Sequence, residues 1–342
     1  MTPPEPPDDG MISVIIPSYN ARAFIAECLT HILATGYRPM EIIVVDDAST
    51  DDSPAIVETF VRDHPDVVRL LRLPDNGGPA RARNAGARAA KGRYLFFCDA
   101  DTRLARNALD LFIRRIPEAD AVCGHYDWRP TNSGPVAWYK ALFNYQMWSN
   151  RGVFAHDVFN AAVAGIRAEA FHAAGGYDES LRWGMDYENE EFGHRLARTH
   201  RILVDPAIVA GHWMPGFVKL TRTYFLRVSL WMLLFMRRRK FEAGGPASAG
   251  SGVASLAVPA GLASVLGALA APAPLAYGAA AAAVACAGLY LRGYGGFLLF
   301  TLRRKPAFLP VALVLNLYFS SVIAAAAAWG ALRYLGGADG EA

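Results

Sequence analysis

Tyr94-Leu95-Phe96-Phe97-Cys98-Asp99-Ala100-Asp101 sets five apolar residues directly ahead of two carboxylates. A short unbroken apolar run predicts a strand buried on both faces. The Asp-Ala-Asp after it marks where the chain leaves the sheet. Toward the N-terminus, Met11–Pro17 (MISVIIP), Glu41–Val45 and Val67–Leu73 read as three more strands. Helical spacing lies between them: Ala21–Leu33 through Phe24, Leu29, Ile32 and Leu33; Ser53–Asp63 through Ile56, Val57 and Phe60; and Pro79–Ala90, opened by Gly78-Pro79. This alternation predicts an α/β domain with a mostly parallel sheet and helices on both faces. Ligands of such sheets bind outside the carboxyl ends of the strands. Polar residues gather there: Ser18-Tyr19-Asn20, Asp46-Asp47, Asn76-Gly77-Gly78 and Asp99-Ala100-Asp101.

From about residue 117 to 216 the rhythm loosens. Expected elements are strands at Ala119–Asp127, Val158–Ile166 and Arg201–Asp205, an aromatic-rich helix at Val136–Asn150 and a helix at Glu188–Thr199. Residues 1–10 (MTPPEPPDDG) read as a disordered lead-in without the basic and apolar regions of a signal peptide, so the following domain is expected in the cytosol. Phe217–Met236 places Phe217, Leu220, Tyr224, Val228, Trp231 and Phe235 at helical spacing among Arg and Lys. That pattern fits an interfacial amphipathic helix over 217–240 or an ordinary packed one. Val253–Ala271, Leu275–Leu291 and Ala307–Leu332 are each about as long as a bilayer core requires. They predict three membrane spans within 253–332, the Ala-rich first two being alternatively a buried hairpin. Arg237–Lys240 precedes the first span, and Arg292, Arg303, Arg304 and Lys305 separate the second from the third. Basic loops stay cytosolic, which implies a multi-pass plasma-membrane protein with residues 1–240 inside. The net charge of +3 gives no case for nucleic acid. The four cysteines lack disulfide or zinc spacing and read as buried thiols.

Ile15-Ile16-Pro17-Ser18-Tyr19-Asn20 and Val44-Val45-Asp46-Asp47-Ala48-Ser49-Thr50-Asp51 resemble the opening of family 2 glycosyltransferases with the GT-A fold, a Rossmann-like architecture. Asn76-Gly77-Gly78-Pro79-Ala80-Arg81-Ala82-Arg83-Asn84-Ala85-Gly86 and Phe97-Cys98-Asp99-Ala100-Asp101 are similar to the family's central segment. Gly175-Gly176-Tyr177-Asp178-Glu179, Glu188-Asn189-Glu190-Glu191-Phe192 and Arg195-Leu196 are similar to its acceptor-side signature. The likeness spans 11–213. It implies a domain over 11–216, with a nucleotide-sugar half (11–116) and an acceptor half (117–216).

The resemblance implies sugar transfer from a nucleotide sugar, a UDP-sugar first, to a glycan or polyprenyl-linked acceptor beside membrane lipid. Mg²⁺ or Mn²⁺ stabilises the departing diphosphate in such chemistry and takes one or two carboxylates plus phosphate oxygens. By the resemblance Asp101 is the direct metal ligand, Asp99 lies nearer the ribose or a bound water, and His212 completes the metal shell. Pro17, Tyr19, Asp46, Asp47 and Asn76 belong to the nucleotide site. Tyr19 is suited to stack on a base, Asp47 to accept from base or ribose, and Arg83 to reach the diphosphate as a bidentate donor. Asp46-Asp47 could instead close a turn and cap the next helix, and a solvated helix face explains Arg81 and Arg88 equally well.

Inverting transfer needs a base for the acceptor hydroxyl. The family's usual Asp is replaced here by Asn189, which cannot serve. Glu188 is the first substitute, Glu191 the second and Asp186 the third. Trp183-Gly184 with Glu188-Asn189-Glu190-Glu191 also resembles a motif of retaining N-acetylgalactosaminyltransferases, leaving the stereochemistry open. Two further readings stand beside this one. A polyprenyl-phosphate glycosyltransferase needs no base, and a non-catalytic scaffold could have kept the fold.

Overall fold

The structure, a computed structural model, describes residues 10–149, 152–181, 187–238 and 248–336. Strand and helix alternate through β1 (Ile12–Ser18), α1 (Ile25–Leu33), β2 (Met40–Asp46), α2 (Ser53–Asp63), β3 (Val68–Arg72), α3 (Gly78–Ala89) and β4 (Tyr94–Cys98). Then come β5 (Thr102–Leu104), α4 (Ala108–Arg115), β6 (Ala121–Tyr126), α5 (Pro135–Ser149), β7 (Phe154–His156), β8 (Val163–Arg167), α6 (Ala168–Ala173), α7 (Tyr187–Leu196) and β9 (Ile202–His212). The last helices are α8 (Phe217–Arg238), α9 (Ala249–Ala270), α10 (Ala273–Arg304) and α11 (Leu309–Leu335).

One sheet runs in the order β3-β2-β1-β4-β8-β6-β9-β5, with β7 also on β9. β1 to β4 are mutually parallel and β6 is parallel to β9, while β8, β5 and β7 run against their neighbours. The apolar runs form strands because both faces are covered. Ile12, Val14 and Ile16 lie in one core with Ile25, Cys28 and Leu29 of α1. Ile15 faces α3, so close that a Cβ on Gly86 would stand 2.4 Å from its Cγ2. Buried Glu41 binds several parts of this half together. It accepts from Ser13 (2.6 Å), the Lys91 backbone N–H (2.6 Å) and Arg69 (2.6 Å).

The chain divides into two compact units, Met1–Asp127 with Arg151–Trp213, and Trp128–Asn150 with Met214–Ala342. α5, from the middle of the sequence, therefore belongs with the helical unit. Within that unit α8 packs along α11, where a Cβ on Gly330 would meet the Ser229 carbonyl at 2.4 Å. Ala249–Ala270, Ala273–Arg304 and Pro306–Leu335 are long and apolar enough to cross a membrane, with mean hydropathy of 1.9, 1.5 and 2.0. Internal hydrogen bonds join the helices: Tyr290 donates to Asn316 (2.6 Å), Asn316 to Tyr139 (3.2 Å), and Tyr294 to the Ser251 carbonyl (3.1 Å). Polar pairs of this kind hold helices together where lipid offers no hydrophobic driving force.

Several boundaries differ from expectation, among them the strand expected at Arg201–Asp205, which runs on to His212, and three others have a visible cause. α1 starts at Ile25 rather than Ala21, because Asn20, at φ 49°, turns the chain and binds Thr50 through its side-chain carbonyl (2.8 Å). The strand expected over Val158–Ile166 begins only at Val163, since the Phe159 and Ala161 N–H groups turn to Asn189 instead. α10 does not stop at Leu291 but continues to Arg304. Gly293 is no terminator there, because it lets α9 approach, and a Cβ would lie 2.4 Å from that of Ala254. The helix ends where Pro306 restricts Lys305.

Candidate active site

The carboxyl ends of β1, β2 and β4 carry the expected polar cluster in the first unit. Ser18 pairs in register with Asp46. Both are buried, and Ser18 Oγ and Asp46 Oδ1 have no hydrogen-bond partner among the described residues. Asp47 is fixed by the chain itself: its two oxygens accept from the Gly77 N–H (3.0 Å) and the Gly78 N–H (2.8 Å). That clamp sets the start of α3, where Gly78 takes φ 86°, a left-handed conformation that glycine adopts at no steric cost. Asn76 lies just ahead of the clamp, half-buried, and Pro17 is the penultimate residue of β1, before Ser18. Tyr19 stands exposed beside them.

Asp99 begins the tight turn from β4 to β5. Its carbonyl accepts from the Thr102 N–H (3.1 Å) and hydroxyl (2.7 Å), while its side chain stays about a third exposed at 31%. The register of β5 on β9 places Thr102 opposite His212. This pairing, invisible in the sequence, brings His212 Nε2 to 3.3 Å from Asp101 Oδ2. The imidazole packs on the Tyr126 ring at 4.1 Å, and its Nδ1 is buried with no hydrogen-bond partner among the described residues. A carboxylate and an imidazole thus meet at the end of the sheet. Among the described residues no group of three His, Cys, Asp or Glu side chains forms a complete metal centre. A two-residue site suits Mg²⁺ or Mn²⁺, which fill their shells with phosphate and water.

Arg83 lies buried at the centre of the site rather than on a solvated helix face. Its guanidinium donates to Asp99 Oδ1 (3.1 Å) and Glu188 Oε1 (3.0 Å), with Tyr177 packed at 5.4 Å. Burial opposes the charge, but Asp99, Tyr177 and Glu188 outweigh it and raise the Arg83 pKa above its already high value. Arg83 therefore links the β4 carboxylate to the acidic run at the start of α7. Of that run, Glu188 is buried, and Glu191 is closed in a fork with Arg195 (2.8 Å to each oxygen). Asn189 accepts from the Tyr177 hydroxyl (3.3 Å) and the Ala161 N–H (3.4 Å). Asp186 lies outside the described residues.

Two positions given no role from sequence help to build this site. Asn84 accepts from the Tyr177 N–H (2.8 Å) and donates to the Tyr177 carbonyl (2.8 Å) and Glu179 (2.9 Å), which presses the Tyr177 loop onto α3. Gly176, at φ 67°, leaves room for that amide, since a Cβ would stand 2.7 Å from Asn84 Oδ1. Asn84 followed by Gly175-Gly176-Tyr177 was a readable signal. Its partnership across 93 residues was not.

Residues 13–172 match the family described as Glycosyl transferase family 2. With the fold and the ordered motifs, that match makes this part of the chain a family 2 glycosyltransferase domain of GT-A type. The chain is 39% identical over 118 residues to Glycosyltransferase GlyG of Streptococcus pneumoniae, covering 34% of this chain and 39% of that protein. It is 38% identical over 100 residues to the poly(ribitol-phosphate) beta-glucosyltransferase of Bacillus spizizenii, covering 29% of this chain and 16% of that one. The chain thus spans two fifths or less of these relatives. Among solved structures, mannosyltransferase PcManGT from Pyrobaculum calidifontis superposes with TM-score 0.56 at 20% identity, covering 95% of this chain and 86% of the other. At that identity the likeness concerns the fold.

Proposed function

We propose that this chain transfers a sugar from a nucleotide sugar to a glycan or polyprenyl-linked cell-envelope acceptor at the cytosolic face of the plasma membrane, with Mg²⁺ or Mn²⁺. The observation that carries the reading is the meeting of Asp101 with His212 beside the Arg83-linked pair of Asp99 and Glu188. Asp101 and His212 would hold the cation, which supplies positive charge to the departing diphosphate. Tyr19 offers a ring for the base, and Ser18, Asp46, Asp47 and Asn76 line the nucleoside end. Asp99, held by Arg83, faces the donor. Glu188 accepts the acceptor's proton in this reading, because Arg83 takes only its Oε1, whereas Arg195 holds both oxygens of Glu191 and Asn189 cannot ionise. The poly(ribitol-phosphate) beta-glucosyltransferase among the relatives supports an envelope acceptor, and the mannosyltransferase solved with GDP-Man and Mn²⁺ supports metal use. Three apolar helices support a membrane location.

The test is transfer or hydrolysis by the full chain in detergent, across UDP-, GDP- and dTDP-sugars with Mn²⁺. Asp101→Asn should lower turnover by about 10²–10³-fold, the loss typical of removing one charge-stabilising group, with its circular dichroism unchanged. Absence of any sugar-nucleotide binding by the wild type, or full activity in Asp101→Asn, refutes the proposal. A second reading has its own support: Glu188 and Glu191 both sit in ion pairs. An acceptor already ionised, such as polyprenyl phosphate, needs no base. Labelled sugar appearing on bare polyprenyl phosphate would select that reading.

A further inference from the structure

The helical unit holds a charge imbalance that sugar transfer does not use. Residues 128–149, 214–238 and 248–336 contain no Asp or Glu, yet they include Lys219, Arg222, Arg303, Arg304 and Lys305. Counter-anions for this set are not supplied by the unit's own described residues. The C-terminal turns of α10 concentrate the charge beside α5. There a cavity of about 350 Å³ is lined by Tyr145, Gln146 and Ser149 of α5 and by Phe300, Arg303 and Arg304 of α10. Gly296 admits the Gln146 amide, since a Cβ would lie 2.7 Å from its Nε2.

The wall is as specific as the charge. Arg304 stacks 5.4 Å from the Trp128 ring and 5.8 Å from Phe300. Lys305 Nζ lies 4.0 Å from the Trp138 ring, and Tyr145 stacks on Phe300 at 5.5 Å. A stacked guanidinium keeps its N–H edge available for an oxyanion. Among the described residues no carboxylate pairs with Arg303, Arg304 or Lys305. Basic residues also suit a helix C-terminus through the macrodipole, but that accounts for neither the rings nor the cavity. Trp and Tyr with Arg and Lys at the end of an apolar helix mark the headgroup level of a bilayer. α10, at 32 residues, is about 48 Å long against a hydrocarbon core of about 30 Å, so its final turns have length to reach that level.

We propose that this cavity binds the phosphate headgroup of an anionic membrane phospholipid, with Arg303 and Arg304 on the phosphate and Gln146 and Ser149 as neutral partners. The inference rests on α9, α10 and α11 spanning the membrane and not on the sugar-transfer chemistry. Native mass spectrometry of the full chain, titrated with phosphatidylglycerol or phosphatidylcholine of matched chains, tests it. Wild type should hold phosphatidylglycerol more tightly than phosphatidylcholine. Arg303→Gln with Arg304→Gln should weaken phosphatidylglycerol by about thirty-fold, taking about a kcal/mol for each basic residue near an anionic surface. Phosphatidylcholine binding should not move, and neither should phosphatidylglycerol binding in Arg292→Gln, elsewhere on α10, or in Asp101→Asn, whose lost turnover tests the other proposal separately. Equal affinity for the two lipids, undiminished phosphatidylglycerol binding in the double variant, or displacement of the lipid by polyprenyl phosphate or millimolar inorganic phosphate would each overturn the assignment.

Discussion

Replacing Arg83 with Met should damage this protein more than any other single change at the α3–α7 junction. The guanidinium is 5% exposed and Glu188 is 8% exposed, while Asp99, at 31%, keeps contact with water. Methionine matches much of the volume but leaves the Glu188 carboxylate buried without its cation. Breaking a buried ion pair from one side costs about 3–5 kcal/mol, and partial exposure of Asp99 places its share at the low end. In a unit of this size about 2–4 °C of melting temperature corresponds to each kcal/mol, so Arg83→Met should melt some 6–20 °C below wild type. Glu188→Gln should cost less, because the amide oxygen still accepts from Arg83 and Asp99 still balances its charge. The double variant Arg83→Met/Glu188→Gln removes the stranded charge and should lie above the sum of the single losses by at least about 2 kcal/mol, within the range for directly bonded residues. Thermal unfolding of the four full-length proteins in one detergent, followed by near-UV circular dichroism, closes the cycle. Strict additivity, or an Arg83→Met protein as stable as wild type, would show that Arg83 and Glu188 do not share a buried bond. α7 would then not be held to α3 through this pair.

Asn189→Ala should strip the acceptor from the Tyr177 hydroxyl and the Ala161 N–H, lowering stability by about 1–3 kcal/mol in the same melting assay. Asn189→Asp, which keeps the acceptor oxygen, should recover most of that loss. Glu41→Gln probes pH dependence. Burial pushes the Glu41 pKa up, but Ser13, the Lys91 N–H and Arg69 together hold it below the ordinary value. A depressed folded-state pKa stabilises the fold above the unfolded carboxyl's pKa and loses that contribution as pH falls through the folded one. The wild-type advantage over Glu41→Gln should therefore be full above about pH 5 and shrink below about pH 4. An advantage that stays constant across that range in pH-dependent melting would refute the assignment.

The strands of the first unit were legible because burial on both faces leaves a simple record: β1, β2 and β4 are mainly apolar runs, interrupted by Ser13 and Glu41 and closed by polar residues. The same logic misled at α10. The second span is expected to stop at Leu291, ahead of Arg292, but the helix runs on to Arg304, because a sequence does not say what lies alongside its glycines. Close approach of Ala254 turns Gly293 into a packing residue, and Gly296 has the same relation to Gln146. The membership of α5 in the helical unit was equally hidden. Its aromatic residues Tyr139 and Phe143 predict a buried helix, but the partners that bury them, Phe297 and Phe319, lie more than 150 residues away.

At the site, residue types were readable and their partners were not. The carboxylates of Asp99 and Asp101 follow a strand end, so any parallel-sheet reading points to them. His212 is named from sequence by the family resemblance alone, and its place beside Asp101 depends on the β5–β9 register, which no local pattern encodes. Asn189 is the instructive position. From sequence it is a missing base, and the search for a replacement turns to its acidic neighbours. In the fold it is an acceptor that anchors Tyr177 and the segment before β8, so its amide does the work of positioning. Arg195 engages Glu191. What remains is Glu188, whose carboxylate shares Arg83 with Asp99. A change of charge on one side of Arg83 must then be felt on the other. If Glu188 takes a proton during transfer, Arg83 is left with Asp99 as its remaining carboxylate partner, and proton uptake on the acceptor side strengthens the hold on the donor side.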